Sequence, residues 1–197
     1  MKRTAGSVPV VGIAGWKKSG KTTLVTRLIA ELTRRGLRIA TVKHAHHKFQ
    51  IDDAETDSAR HRRAGAAQVA VVSRERWAIV KELQAAPEPE LAEVISRLDP
   101  CDLVIVEGYK RSSIPKIEVR RSAAASQEPL ADKSPNVIAI AADHVVTNAR
   151  GLPTFALDDV AAIADFIAAS VGLQPGEPDA EGRRSASGAA RRDTPAK

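Results

Sequence analysis

Only one cysteine, Cys101, occurs in 197 residues, so no internal disulfide can form and a reducing compartment is the expectation. Aromatic residues make up 3% of the chain. That scarcity leaves the core to Val, Ile, Leu and Ala, and it argues against the series of stacking rings that RNA-binding sheets use. There is no run of about 18 apolar residues to span a membrane as a helix. The basic start Met1–Thr4 leads into an apolar stretch that Trp16, Lys17 and Lys18 soon interrupt, which does not fit a secretory signal. A cytoplasmic protein is the expectation.

What is present is a globular share of hydrophobic residues, 43%, and a formal charge of +6. The basic residues are interleaved with Asp and Glu rather than massed as a nucleic-acid footprint. Local excess occurs around Arg60, Arg62 and Arg63, and again at Lys110, Arg111, Lys116, Arg120 and Arg121. A small, highly phosphorylated ligand accounts for such patches as well as a nucleic acid does.

Runs rich in Val and Ile alternate with helical spacing. Val8–Ala14 reads as a strand, and Lys21–Arg35 as a helix with Leu24, Val25, Leu28, Ile29 and Leu32 on one face. Leu37–Lys43 is a second strand. Ser58 is placed to cap a short helix through Arg63. Gln68–Ser73 and Arg76–Val80 flank a tight turn, which predicts an antiparallel hairpin appended to a parallel sheet. Glu90–Leu98 reads as a helix. Asp102–Gly108, Lys116–Arg120 and Val137–Ala141 are further strands, and Asp159–Ser170 is a closing helix. The pattern predicts an α/β fold, a mostly parallel sheet flanked by helices, with its ligand site beyond the C-terminal strand ends. Residues 1–173 are expected to form one nucleotide-binding domain. Residues 174–197, rich in Gly, Pro, Ser, Ala and charge, read as a disordered tail.

Between the first strand and the first helix stands Gly15–Thr23, GWKKSGKTT, which fits the phosphate-loop pattern G-x-x-x-x-G-K-[ST] with Gly15, Gly20, Lys21 and Thr22. The glycines let backbone N–H groups curl around phosphate oxygens, and the helix N-terminus adds a favourable field. Lys21 is placed to reach the β- and γ-phosphates and Thr22 to coordinate Mg²⁺. Lys18, Ser19 and Thr23 complete the expected nucleotide-binding set. Trp16 and Lys17 carry no assignment.

Asp102 and Glu107 open and close the strand Asp102–Glu107. Glu107 lies about 17 Å further along at a typical strand rise, at the nucleotide end. It is therefore the candidate contact for Mg²⁺ or its water shell, the alternative being a solvated strand-end acid. The stretch after the second strand gathers His44, His46, His47, Asp52, Asp53, Glu55, Asp57 and His61. Its spacing matches no zinc pattern. As a switch or substrate loop it would bring Lys43, His44, Arg60 and Arg62 to phosphates and Asp52 or Asp57 to Mg²⁺. As a plain loop it would be solvated. Lys110 joins the expected anionic pocket.

Taken together, Gly15–Thr23, Thr41–His47, Asp57–Ala66, Asp102–Lys110 and Pro115–Val119 resemble, in order, the motifs of the molybdopterin-guanine dinucleotide biosynthesis protein B family (MobB). The resemblance spans roughly residues 8–170. It implies a P-loop fold, GTP and Mg²⁺ as ligands, a homodimer, and at most slow GTP hydrolysis. It also implies assistance to the guanylyltransferase (MobA-like) that joins GMP to molybdopterin, with molybdopterin itself a possible contact. Where family members often carry a glycine before the Asp57-Ser58 pair, this chain has Asp53–Thr56. No NKxD guanine motif is present. Asp143, at the end of a strand, is the candidate acceptor for guanine N1 and N2, against a plain turn-forming role.

Two other readings compete. A small-molecule kinase using ATP would employ Asp52 or Asp57 as base and the arginines around Arg60 as clamps, although no arginine-rich lid is evident. A nucleotide-gated binding module would use the hairpin and Pro115–Val119 as its partner surface.

Overall fold

The computed structural model describes residues 8–45 and 55–173. They divide into two compact units, one joining the residues up to Val42 with those from Asp99 onward, the other running from Lys43 to Leu98. Each is described by itself.

In the first unit, β1 (Val10–Ala14) leads into helix α1 (Lys21–Arg34) and then β2 (Ile39–Lys43). After the second unit come β5 (Leu103–Glu107), β6 (Lys116–Arg120), a 3₁₀ turn at Leu130–Asp132, β7 (Val137–Ala142), β8 (Thr154–Ala156) and α4 (Val160–Ser170). The six strands lie in the order β2-β5-β1-β6-β7-β8. β1 pairs in parallel with β5 and β6, β6 with β7, and β7 with β8. β5, VIV-rich and interior to the sheet, is buried at every position, as expected of a parallel strand covered on both faces. The spacing of Leu24, Val25, Leu28 and Leu32 does put one face of α1 into the core, where it meets Ile163, Ala164 and Ile167 of α4 and Val11, Ile13, Ile105, Ile117 and Val119 of the sheet. Phe155 and Phe166 add a tilted ring pair at 5.3 Å.

β6 departs from the ordinary apolar pattern. Ile117 and Val119 enter the core shared with α1, so the period of two sends Lys116, Glu118 and Arg120 to the opposite face. All three are nevertheless buried. Glu118, 1% exposed, accepts from Arg120 Nη2 at 2.9 Å, Leu130 N at 2.8 Å and Ala131 N at 3.0 Å. Arg120 Nη1 donates to Asn148 Oδ1 at 2.6 Å, and Lys116 Nζ to the Ser112 carbonyl at 2.6 Å. The register sets Gly12 opposite Lys116. A Cβ on Gly12 would stand 3.0 Å from that of Lys116, so the glycine leaves room for the lysine stem. Lys116 and Arg120, expected in a ligand-facing basic patch, are thus internal struts: a buried charge needs a partner, and both find theirs within the chain.

The second unit holds α2 (Asp57–Arg63), β3 (Gln68–Val72), β4 (Trp77–Lys81) and α3 (Leu91–Ser96). The N-cap of α2 is Thr56, whose hydroxyl accepts from Ala59 N at 3.3 Å, rather than Ser58. Asp57 follows it in the first turn, where a carboxylate suits the helix field. β3 and β4 form the expected antiparallel hairpin as a two-stranded sheet of its own. Its register pairs Val72 with Trp77 and Ala70 with Ile79, so these side chains share one face, which is exposed.

The short β8 and the 3₁₀ turn were not legible from periodicity, since three residues carry too little pattern. Asp52, His46 and His47 lie outside the described residues, as does the tail from residue 174.

Removing the Glu118 carboxylate strands a buried arginine and two N–H donors. Glu118→Ala is expected to lower stability by about 3–5 kcal/mol, measured by urea unfolding. Burial holds the Lys116 ammonium below its ordinary pKa of 10.5. Between its folded pKa and 10.5 the unfolded chain binds the extra proton, so this lysine makes stability rise with pH across that window. Lys116→Met should flatten that rise, seen by comparing urea unfolding at about pH 8 and about pH 10.

Candidate functional site

The parallel register brings the C-terminal ends of β1 and β5 together. Ile13 stands opposite Glu107, and Gly108 N donates to the Ile13 carbonyl at 3.1 Å. Beyond β1 the chain turns through residues 15–20 and enters α1 with Gly20 as N-cap, at φ 91°. Lys18 also takes a left-handed conformation, φ 65°, an uncommon state for a side-chain-bearing residue. Two such residues in one short loop are what aim successive N–H groups inward.

Gly15 is required for a different reason. A Cβ there would lie 2.5 Å from Ser19 Oγ and 2.5 Å from the Val119 carbonyl. The loop therefore presses its own backbone against the end of β6. Ser19 is 1% exposed, and its hydroxyl has no hydrogen-bond partner among the described residues. A buried hydroxyl without a partner is costly, and an anion held by the loop would relieve it.

The Trp16 carbonyl gathers the loop from the other side, accepting from Ser19 N at 3.1 Å and from Lys21 Nζ at 2.7 Å. Thr22 Oγ1 donates to Glu107 Oε1 at 2.8 Å. A hydroxyl and a carboxylate at the mouth of a phosphate loop form a hard oxygen pair of the kind Mg²⁺ accepts, with the remaining positions left to water and phosphate oxygens. No group of three or more His, Cys, Asp or Glu side chains suited to a metal occurs among the described residues. The pair fits a cation completed by a bound phosphate, as Mg²⁺ sites commonly are. Asp102 sits at the other end of β5, accepting from Arg38 N at 2.8 Å.

Trp16, unassigned from sequence, is a structural member of the site. Its indole N–H donates to the Glu128 carbonyl at 2.6 Å, and its side chain packs against the cluster of Ala14, Leu130 and Val137. Lys110 Nζ lies 4.0 Å over that ring, a cation–π contact, and burial lowers its pKa. Ala125 N donates to the Lys17 carbonyl at 2.9 Å. The segment 121–131 thus braces the outside of the phosphate loop. Only a signal of long-range pairing would have exposed this in the sequence.

Asp143 has several partners of its own. Its carboxylate receives Ser122 N at 2.9 Å, Ser122 Oγ at 3.1 Å and His144 Nδ1 at 2.8 Å, and Arg121 Nε lies 3.5 Å away. The His144 hydrogen bond, then those from Ser122, hold its pKa below the ordinary carboxylate value. A guanine edge would compete with these contacts for the same oxygens.

Lys43, His44, Asp57, Arg60 and Arg62 belong to the second unit. There His44 Nε2 pairs with Glu88 at 2.9 Å, Arg62 with Glu82 at 3.1 Å, and Arg60 with Asp57 at 3.7 Å. Lys43, Asp57 and Arg60 are exposed.

Comparison with known proteins sets this geometry in context. Residues 10–143 match the family model for MobB, molybdopterin guanine dinucleotide synthesis protein B. The chain is 37% identical over 164 residues to the molybdopterin-guanine dinucleotide biosynthesis adapter protein of Escherichia coli, covering 81% of this chain and 91% of that one. The Haemophilus influenzae protein of the same name is 39% identical over 163 residues, with 81% and 88% covered. Among solved structures, a crystal structure of molybdopterin-guanine biosynthesis protein B superposes with a TM-score of 0.63 at 29% identity, covering 82% of this chain and 99% of that one. Bacillus subtilis MobB gives 0.66 at 25% identity, covering 83% and 98%.

Gly15→Ala places a methyl group where the Val119 carbonyl and Ser19 hydroxyl already stand. We expect a stability loss of about 1–3 kcal/mol together with loss of phosphate-ligand binding. Thermal melting and titration with inorganic tripolyphosphate check the two effects separately.

Proposed function

The chain belongs to the family of molybdopterin guanine dinucleotide synthesis protein B, and from that premise we propose that it is a GTP-binding adapter of molybdopterin-guanine dinucleotide biosynthesis. The observation that carries the nucleotide part is the loop itself: Gly15 packed against the end of β6, Lys21 bonded to the Trp16 carbonyl, and Thr22 bonded to Glu107. In this reading the loop N–H groups and Lys21 bind the β- and γ-phosphates. Thr22 and Glu107 hold Mg²⁺ or its water shell, the ion supplying charge neutralisation between phosphate oxygens. Lys18, Ser19, Gly20 and Thr23 contribute as members of the loop and the first turn of α1. No side chain is assigned a catalytic role, and any hydrolysis is slow.

The partner in this proposal is the guanylyltransferase that joins GMP to molybdopterin, with the adapter acting as a homodimer. The exposed cations Lys43 and Arg60 of the second unit, together with His44 and Arg62, are its candidate contacts to an anionic substrate, and Asp57 is a candidate contact to Mg²⁺. The small-molecule kinase reading gains no support from the relatives, which are named as adapter proteins.

Isothermal titration of GTP in the presence of Mg²⁺ tests the nucleotide part. Lys21→Ala is expected to weaken binding by about tenfold to a hundredfold, the value of a charge-assisted contact. Thr22→Ala should leave weaker binding that no longer responds to Mg²⁺. A wild-type chain that binds no guanine nucleotide would overturn the reading.

A further inference from the structure

Three neighbouring strands end in step. The register sets Arg120 of β6 opposite Ala142 of β7, and Ala142 opposite Ala156 of β8. The next residue of each, Arg121, Asp143 and Leu157, therefore emerges at the same edge. Backbone bonds hold the alignment, with Asp143 N donating to Arg120 O at 3.4 Å and Leu157 N to Ala142 O at 2.8 Å.

Two of these side chains converge on the phosphate loop. A Cβ built on Gly20 would stand 3.6 Å from Leu157 Cδ2, 3.8 Å from Arg121 Cδ and 4.0 Å from Arg121 Nη1. The guanidinium and the isobutyl group thus flank the backbone that presents Lys21 and Thr22. Arg121 is 49% exposed, so part of its surface faces solvent beside the loop. Its Nε is oriented by Asp143 Oδ2 at 3.5 Å, and Asp143 is in turn fixed by both the N–H and the hydroxyl of Ser122.

We propose that Arg121 and Leu157 form the shelf on which the base of the bound nucleotide lies. Asp143 acts as a positioning residue that aims Arg121 rather than as a reader of the base edge. This rests on the loop being the phosphate cradle. The chemistry follows from the two side chains. A planar guanidinium stacks on a heteroaromatic ring and also draws on its π-face, while a leucine removes apolar ring surface from water. A phosphate alone would use the charge and the N–H donors of Arg121 but would leave Leu157 without a partner. The ligand class is therefore a nucleotide, held at its phosphates by the loop and at its base by stacking.

The test compares GTP and GDP with inorganic tripolyphosphate, each with Mg²⁺, by isothermal titration against the full-length chain. Arg121→Ala is expected to weaken GTP and GDP by roughly tenfold, the scale of one base-stacking contact, while tripolyphosphate binding stays unchanged. Arg121→Lys, which keeps the charge and loses the plane, should show the same selective loss. Asp143→Ala should produce a smaller loss, again confined to the nucleotides. Equal losses for nucleotide and tripolyphosphate would overturn the shelf and make Arg121 a phosphate contact. No loss for either ligand, or a wild-type chain that binds GTP no tighter than tripolyphosphate, would overturn it too. Lys21→Ala serves as the separate control: if it binds tripolyphosphate as well as wild type does, the cradle itself is refuted. Matching thermal melts of the Arg121 variants and wild type confirm that folding is intact.

Discussion

A carboxylate inside the sheet, Glu118, organises the neighbourhood of the site. A buried charge is tolerated only where hydrogen bonds and an opposite charge replace its water. Glu118 gets both from Arg120 and from the backbone of Leu130 and Ala131. Meeting that need draws the connection after β6 back against the fold, and the same connection carries the Glu128 carbonyl that receives Trp16. The phosphate loop is therefore held between its own sheet and a brace that an internal charge keeps in place. Neither contact touches a phosphate. Both restrict where the loop backbone can go, and a loop that is already in position loses less freedom when an anion arrives.

The division of labour among charged residues follows from burial. Lys116 and Arg120 look like ligand contacts by type, yet the two-residue period of β6 and the surrounding strands place them inside. Arg121, one residue further, leaves the sheet and reaches the side of the phosphate loop. A single step along the chain separates a strut from a candidate ligand contact, because the strand ends between them.

Much of the framework was readable in advance. The 3.6-residue spacing of Leu24, Leu28 and Leu32 located α1, and the apolar run of β5 marked a buried strand. The glycine pattern between β1 and α1 located the loop, since few chemistries need two glycines, a lysine and a hydroxyl in that order. That Glu107 rather than Asp102 stands at the loop end of its strand needed only the length of a strand. The hairpin was visible as two strand-like runs flanking a tight turn, whereas the helix cap fell on Thr56 because its hydroxyl, rather than that of Ser58, reaches the Ala59 N–H. The brace was invisible. Trp16 and Glu128 are far apart in the chain, and no local pattern marks a carbonyl as an acceptor for an indole.

By itself the sequence determined most of the strands and helices, where the phosphate-loop pattern stands, and which family the motifs resemble. Those properties rest on local periodicity and on short motifs whose chemistry is complete within a few neighbouring residues. Tertiary structure alone decided that Lys116 and Arg120 are struts, that Trp16 belongs to the loop's support, and that Asp143 meets Ser122 and Arg121. Each of those outcomes depends on strand order and register. Register sets which strand ends lie side by side, and only then do distant residues acquire common neighbours.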